Sequence, residues 1–98
     1  MTRTVFHPAA RRELEETIDY YNAERQGLGR EFREEVQRVI TLLTRFPQLG
    51  QPVRGRVRRT MLSRFPYYIY YRLLESGNLR ILAVAHSRRR PEYWIGRQ

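Results

Sequence analysis

The stretch from Arg58 to Trp94 constrains the fold most. Apolar blocks rich in β-branched and aromatic residues, such as Tyr67-Tyr68-Ile69-Tyr70-Tyr71 and Ile81-Leu82-Ala83-Val84-Ala85, alternate there with turn residues. That is the pattern of consecutive short strands. Strands are expected at about 56–65, 67–74 and 79–86, with Glu75-Ser76-Gly77-Asn78 as the turn that makes the last two a hairpin. In the last strand both alternating sets are apolar, Leu79, Ile81, Ala83 and Ala85 on one side and Leu82 and Val84 on the other. A strand of this kind is central and covered on both faces. In the strand before it, Ile69, Tyr71 and Leu73 share one face, and Tyr68, Tyr70 and Arg72 share the other.

The first half reads as helical. Thr2 to Phe6 is β-prone and short, as an edge strand is, and Pro8 stands where a first helical residue belongs because its missing N–H needs no partner there. From Pro8 to about Glu24, Ala10, Leu14, Ile18 and Tyr21 recur at helical spacing. Glu13, Glu15 and Glu16 fall near the helix start, where the macrodipole favours acids. Gly27-Leu28-Gly29 interrupts the pattern. A second helix to Arg45 carries Leu28, Phe32, Val36, Val39, Leu43 and Phe46 on one stripe, with Ile40 beside it and a Glu34–Arg38 pair on the wet side. Two amphipathic helices joined so closely form an antiparallel hairpin. Pro47, Gly50, Pro52 and Gly55 then read as an irregular connector.

The expected architecture is a single α+β domain over 1–98: a strand at 2–6, a helical hairpin at 8–46 packed on one face of a small antiparallel sheet at 56–86, and a basic tail at 87–98. The chain has no cysteine, which excludes disulfides and thiolate metal sites. Its two histidines, His7 and His86, make no metal-ligand spacing, so no metal and no cofactor is expected. No apolar run is long enough for a signal peptide or a membrane span, and the expected location is the cytoplasm, with no membrane partner.

The net charge of +9 is lopsided. Residues 1–46 hold eight arginines and eight acids, whereas residues 47–98 hold eleven arginines against Glu75 and Glu92 alone. A one-sided basic half points to an anionic partner. All the basic residues are arginines, whose planar fork matches phosphate and carboxylate.

Several segments in this order carry a resemblance. They are Phe6-His7-Pro8-Ala9-Ala10, Tyr20-Tyr21, Gly27-Leu28-Gly29-Arg30-Glu31-Phe32, Phe46-Pro47-Gln48-Leu49-Gly50, Arg64-Phe65-Pro66-Tyr67-Tyr68-Ile69-Tyr70-Tyr71-Arg72 and Val84-Ala85-His86-Ser87-Arg88-Arg89. Together they resemble the RelE/ParE superfamily of toxins from bacterial type II toxin–antitoxin systems, over nearly the whole chain. The resemblance implies a microbial-ribonuclease-like α+β fold, growth inhibition, a role in plasmid stabilisation and a cognate antitoxin that wraps the toxin. ParE-like members poison DNA gyrase. RelE-like members cleave mRNA in the ribosomal A site with basic residues on the sheet and an Arg and a Tyr near the C-terminus. The long helical hairpin and Arg64-Phe65-Pro66-Tyr67 look more ParE-like. Arg88 falls roughly where the RelE-like catalytic Arg lies, and Tyr93 or Trp94 near the terminal Tyr, but the sheet lysines of that site have no lysine counterpart here.

For cleavage without metal, a chain needs a base for the 2′-hydroxyl, a cation for the phosphate and an acid for the leaving oxygen. Arg64, Arg88 and Arg89 suit the phosphate, with Arg58, Arg59 and Arg90 as further anion-binding candidates. Arginine stays protonated at neutral pH, so the titratable candidates are His86 and, more remotely, Tyr93. The plainer readings are that His86 ends a strand, that the strand tyrosines Tyr67, Tyr68, Tyr70 and Tyr71 are packing residues, and that Arg88-Arg89-Arg90 is a solvated tail. Trp94 reads as an anchor for that tail.

Overall fold

His7 enters the first helix as its N-cap, accepting a hydrogen bond on Nδ1 from the Ala9 N–H at 3.0 Å, and Pro8 follows at the first helical position. Desolvation, with help from the Arg80, Arg97 and Arg12 charges, lowers the His7 pKa, which keeps the ring neutral and able to accept. The computed structural model describes residues 3–90 and 92–97. Its elements are β1 (Thr4–Phe6), α1 (Pro8–Glu24), α2 (Leu28–Arg45), β2 (Gln51–Arg54), β3 (Val57–Met61), β4 (Tyr67–Leu73) and β5 (Leu79–His86). Thr2, included in the expected first strand, lies outside the described residues.

Both helices fall where their apolar period places them, and they meet closely at the hairpin. A Cβ on Gly29 would collide with the Ile18 carbonyl and the Asn22 side chain, so only glycine fits. Asn22 instead accepts the Gly29 N–H at 2.8 Å. Three local expectations are corrected. Phe46 is 54% exposed because α2 ends at Arg45 and the chain turns away there. Glu34 pairs backward with Arg30 at 3.3 Å rather than forward with Arg38. The first turn of α1 holds no acid, and Glu13 has a different task described below.

The sheet has the order β1-β5-β4-β3-β2. All neighbours are antiparallel except β1, which runs parallel to β5 with Val5 opposite Arg80. The sheet is therefore mixed: the two antiparallel helices leave β2 running opposite to β1, and three further reversals bring β5 back parallel to β1. The expected connector at 47–55 contains an edge strand, β2. Its Pro52 is tolerated because an edge strand can spare an N–H. The Tyr71 hydroxyl holds the approach to β2, accepting from the Gly50 N–H at 2.8 Å and donating to the Pro47 carbonyl at 2.7 Å. β3 stops at Met61, well short of Phe65, because Leu62 and Phe65 turn inward and are buried.

β5 is central, as expected, but its alternation breaks. Tyr70 pairs with Ala83 and Tyr71 with Ile81, which leaves Leu82 as the extra residue of a bulge. Ile81 and Val84 thus face the helices, while Leu82, Ala83 and Ala85 face outward. The helix-side core joins Leu14, Ile18, Phe32, Val36, Leu43, Ile69 and Tyr71 among others. A thinner outer layer joins Val57, Tyr70, Leu82, Ala83 and Ala85 under Trp94, which is 1% exposed. No helix among the described residues is long and apolar enough to cross a membrane.

Candidate functional site

One end of the sheet gathers most of the expected site residues. Tyr67 at the start of β4 pairs with His86 at the end of β5, and the Ser87 N–H donates to the Pro66 carbonyl at 2.7 Å. The β3–β4 turn and the C-terminal tail are therefore side by side, which brings Arg64, His86, Arg88, Arg89 and Arg90 to one end of the molecule. Arg58 and Arg59 lie elsewhere, on β3.

At this end each group has its own environment. Arg64 is exposed and pairs through Nη2 with Glu31 Oε1 at 2.7 Å, and that hydrogen bond from Arg64 is the main reason the Glu31 carboxyl is held below its ordinary pKa. The Arg64 backbone N–H donates to Glu35 Oε2 at 2.9 Å, and Ser63 Oγ lies 3.3 Å from the same oxygen. This explains how Glu35 can be 6% exposed within α2. His86 accepts the Arg88 N–H on Nδ1 at 3.1 Å, so a neutral ring carries its proton on Nε2, and the ring packs edge-on to Tyr67. The Arg88 and Arg90 side chains are exposed and make no ion pair among the described residues.

Tyr93 is the most heavily engaged of the candidates. Its hydroxyl donates to Glu13 Oε2 at 2.8 Å, and the guanidinium groups of Arg89 and Arg97 lie over its ring, 5.3 Å and 4.7 Å from the centroid. Burial first, and then the hydrogen bond to Glu13, push its pKa well above the tyrosine range. Glu13 also accepts the Val84 N–H at 3.0 Å, and Arg97 Nη1 sits 3.0 Å from Glu13 Oε1 and 2.9 Å from Oε2. Arg97 Nη1 reaches the Leu82 carbonyl at 3.2 Å. β1 pairs β5 only as far as Ile81. Beyond that point the Glu13 carboxylate and the Arg97 guanidinium satisfy the bare edge of β5, as a further strand would. A cavity of about 140 Å³ beside them is lined by Glu13, Glu16, Tyr67, His86, Arg89 and Tyr93.

Arg58 and Arg59 do not join this end. Arg58 Nη1 donates to the Gly50 carbonyl at 2.7 Å and to the Gln48 carbonyl at 3.2 Å, which holds the segment leading into β2. Arg59 lies on the outer face with its guanidinium 4.1 Å over the Tyr68 ring and Nη1 3.3 Å from the Tyr70 hydroxyl. Tyr70 and Tyr71 are buried, and Tyr67 and Tyr68 are partly buried, so the strand tyrosines are packing residues. Glu13, Glu35 and Arg97 do not stand out in the sequence. A signal existed for the two acids: Glu13 is three residues after Ala10 and four before Thr17, and Glu35 is three after Phe32 and four before Val39. Each carboxylate therefore sits on a buried stripe, where it must have a partner. No group of three or more His, Asp or Glu among the described residues is placed to hold a metal ion.

The family described as "ParE toxin of type II toxin-antitoxin system, parDE" matches residues 4–91. The chain belongs to the ParE toxin family. Two solved structures share the fold of this ParE-family chain. One is the chromosomal ParDE toxin–antitoxin system from P. aeruginosa, with 20% identity, a TM-score of 0.64, and coverage of 88% of this chain and 96% of that one. The other is the intact E. coli RelBE toxin–antitoxin complex, with 14% identity, a TM-score of 0.69, and coverage of 91% and 100%. No curated protein sequence matches the chain. The ParE-family match ends at residue 91, so Tyr93, Trp94 and Arg97, which close the edge of β5, lie beyond the shared segment.

Proposed function

We propose that this ParE-family toxin is neutralised by a cognate antitoxin and acts in the cytoplasm by inhibiting DNA gyrase and hence replication. The supporting observation is how the polar groups at the basic end are used. The groups that could move a proton are engaged within the fold: the Tyr93 hydroxyl donates to Glu13, and the lone pair of His86 Nδ1, which a base would use, accepts the Arg88 N–H. Arg88 and Arg90 remain exposed, and Arg64 is held by a solvent-screened surface ion pair and by the Phe65 ring beneath it, contacts readily exchanged for a partner. Such an end suits binding through charge better than proton transfer.

Induced expression in bacteria without antitoxin, with DNA and protein synthesis pulse-labelled separately, tests this reading. Early loss of DNA synthesis, together with inhibition of supercoiling by purified toxin, is expected. Untouched supercoiling at micromolar toxin would overturn it. The second reading, a ribosome-dependent mRNA endoribonuclease, draws on the convergence of His86, Arg89 and Tyr93 on one cavity with Glu13 and Glu16. It requires early loss of protein synthesis with cut transcripts, and it requires that Arg88→Ala abolish cleavage while retaining antitoxin binding.

A further inference from the structure

Four buried side-chain nitrogens among the described residues have no hydrogen-bond partner: Nε of Arg59, Arg72 and Arg80, and Nε1 of Trp94. All four belong to one face of the sheet, the one turned away from the helices. The strand register shows it: Arg72 is opposite Arg80 across β4 and β5, Val57 is opposite Arg72, and Arg59 is opposite Tyr70 two residues along. Tyr70 and Val57 pack under Trp94 in the outer layer. Every one of these groups is a donor, and the row Val57, Arg72, Arg80, Val5 contains no acid. Two like charges placed directly opposite on neighbouring strands repel one another. Neither arginine has an ion pair among the described residues. Their terminal Nη groups are neither hydrogen-bonded there nor among the buried orphans, so the forks open to solvent above sealed stems.

We propose that Arg72 and Arg80, with Arg59 as a third cation, form a binding surface for the phosphodiester backbone of duplex nucleic acid. Three features favour that ligand. All three cations are arginines, whose paired Nη groups suit phosphate oxygens. At Arg72 and Arg80 each strand is already paired on both sides, so a peptide has no free sheet edge to extend. The aromatic rings of this layer are sealed or covered, Tyr70 and Trp94 by burial and Tyr68 by Arg59, so no platform remains for stacking unpaired bases. Binding through phosphates alone is independent of sequence and strongly dependent on salt. The surface is separate from the end that carries Arg64 and Arg88, and the inference holds for either target of the toxin.

Fluorescence anisotropy of the purified chain with labelled DNA duplexes of two unrelated sequences tests the proposal. Wild type binds both alike. The double variant R72Q/R80Q binds at least about tenfold more weakly at moderate salt. Its slope of log affinity against log salt falls by about 1 for each phosphate that the variant no longer neutralises. R72K/R80K, which keeps the charge and the fold but loses the fork, binds more weakly than wild type at an unchanged salt slope. R88Q/R90Q, in the tail, keeps most of the affinity. Binding by R72Q/R80Q within about twofold of wild type overturns the proposal, as does loss of binding in R88Q/R90Q instead. Displacement of the duplex by poly-glutamate at equal charge would make the surface a carboxylate site and overturn it too.

Discussion

The two faces of this sheet are built on opposite plans. The helix-facing side is a thick apolar core in which aromatic rings interlock: Phe32 and Phe65 meet edge-on at 5.1 Å, and Tyr21 and Tyr67 pack around them. Its polar groups are satisfied, as with the Tyr71 hydroxyl between Gly50 and Pro47. The outer side has one large cover, Trp94, over small and medium residues, and it holds every buried orphan donor among the described residues. Burying apolar area and satisfying donors both favour folding, so the first face supplies stability. The second retains unsatisfied donors and facing like charges, a cost that a binding surface explains and a packing layer does not.

The largest test of this contrast is Phe32→Ala on the helix side. Truncating a fully buried aromatic there costs about 4 kcal/mol, a large fraction of the stability of a domain this size, and urea unfolding monitored by circular dichroism reads it. A cost below about 1.5 kcal/mol, the range of a tolerated swap, would mean the helix side is not the main source of stability.

Glu13→Gln tests the tie between the faces. Glu13 stands on α1 and binds the outer layer's tail through Tyr93 and Arg97, so losing its charge costs about 2 kcal/mol. The loss should come with faster hydrogen exchange at the Val84 N–H, which donates to that carboxylate. Unchanged exchange would show that the edge of β5 is protected by something else.

The smallest effect runs in the other direction. Arg80→Thr removes the cross-strand repulsion with Arg72 and should stabilise the fold by about 0.5 kcal/mol. Burial is the main cause of the lowered His7 pKa and the Arg80 charge the next. In Arg80→Thr the His7 pKa therefore moves back up toward the ordinary histidine value, and an NMR titration reads the shift. The sign for stability follows from linkage. With the folded pKa below the unfolded one, the His7 contribution is complete above the unfolded pKa and is lost as pH falls through the folded pKa. Raising the folded pKa therefore narrows the acid loss. Destabilisation by Arg80→Thr would show that the outer face gains more from the Arg80 stem than it loses to its charge.

Much of the fold is legible in the sequence, and the misses have physical causes. The helical hairpin appears because a 3.6-residue apolar period is local information, carried by Phe32, Val36, Val39 and Leu43. The β4–β5 hairpin appears because Gly77, with a φ of 89°, supplies a backbone conformation that other residues resist. β2 is hidden behind Pro52 and Gly50, residues that discourage a strand unless it lies at an edge beside a hydroxyl such as that of Tyr71. The bulge at Leu82 is hidden because an unbroken apolar run has no phase to lose.

The sequence by itself determined the two helices, the central place of β5, the concentration of charge in the second half and the anchoring role of Trp94. Each follows from local pattern or composition. Only the tertiary structure decided which arginines are used up and which remain open. Arg58 is committed to the Gly50 carbonyl, Arg97 to a carboxylate 84 positions away, and Arg72 and Arg80 stand opposite one another with no ion pair among the described residues. Identical side chains acquired different tasks because a guanidinium's role depends on the acceptors the fold brings within reach, and partners so distant along the chain leave no mark on local sequence.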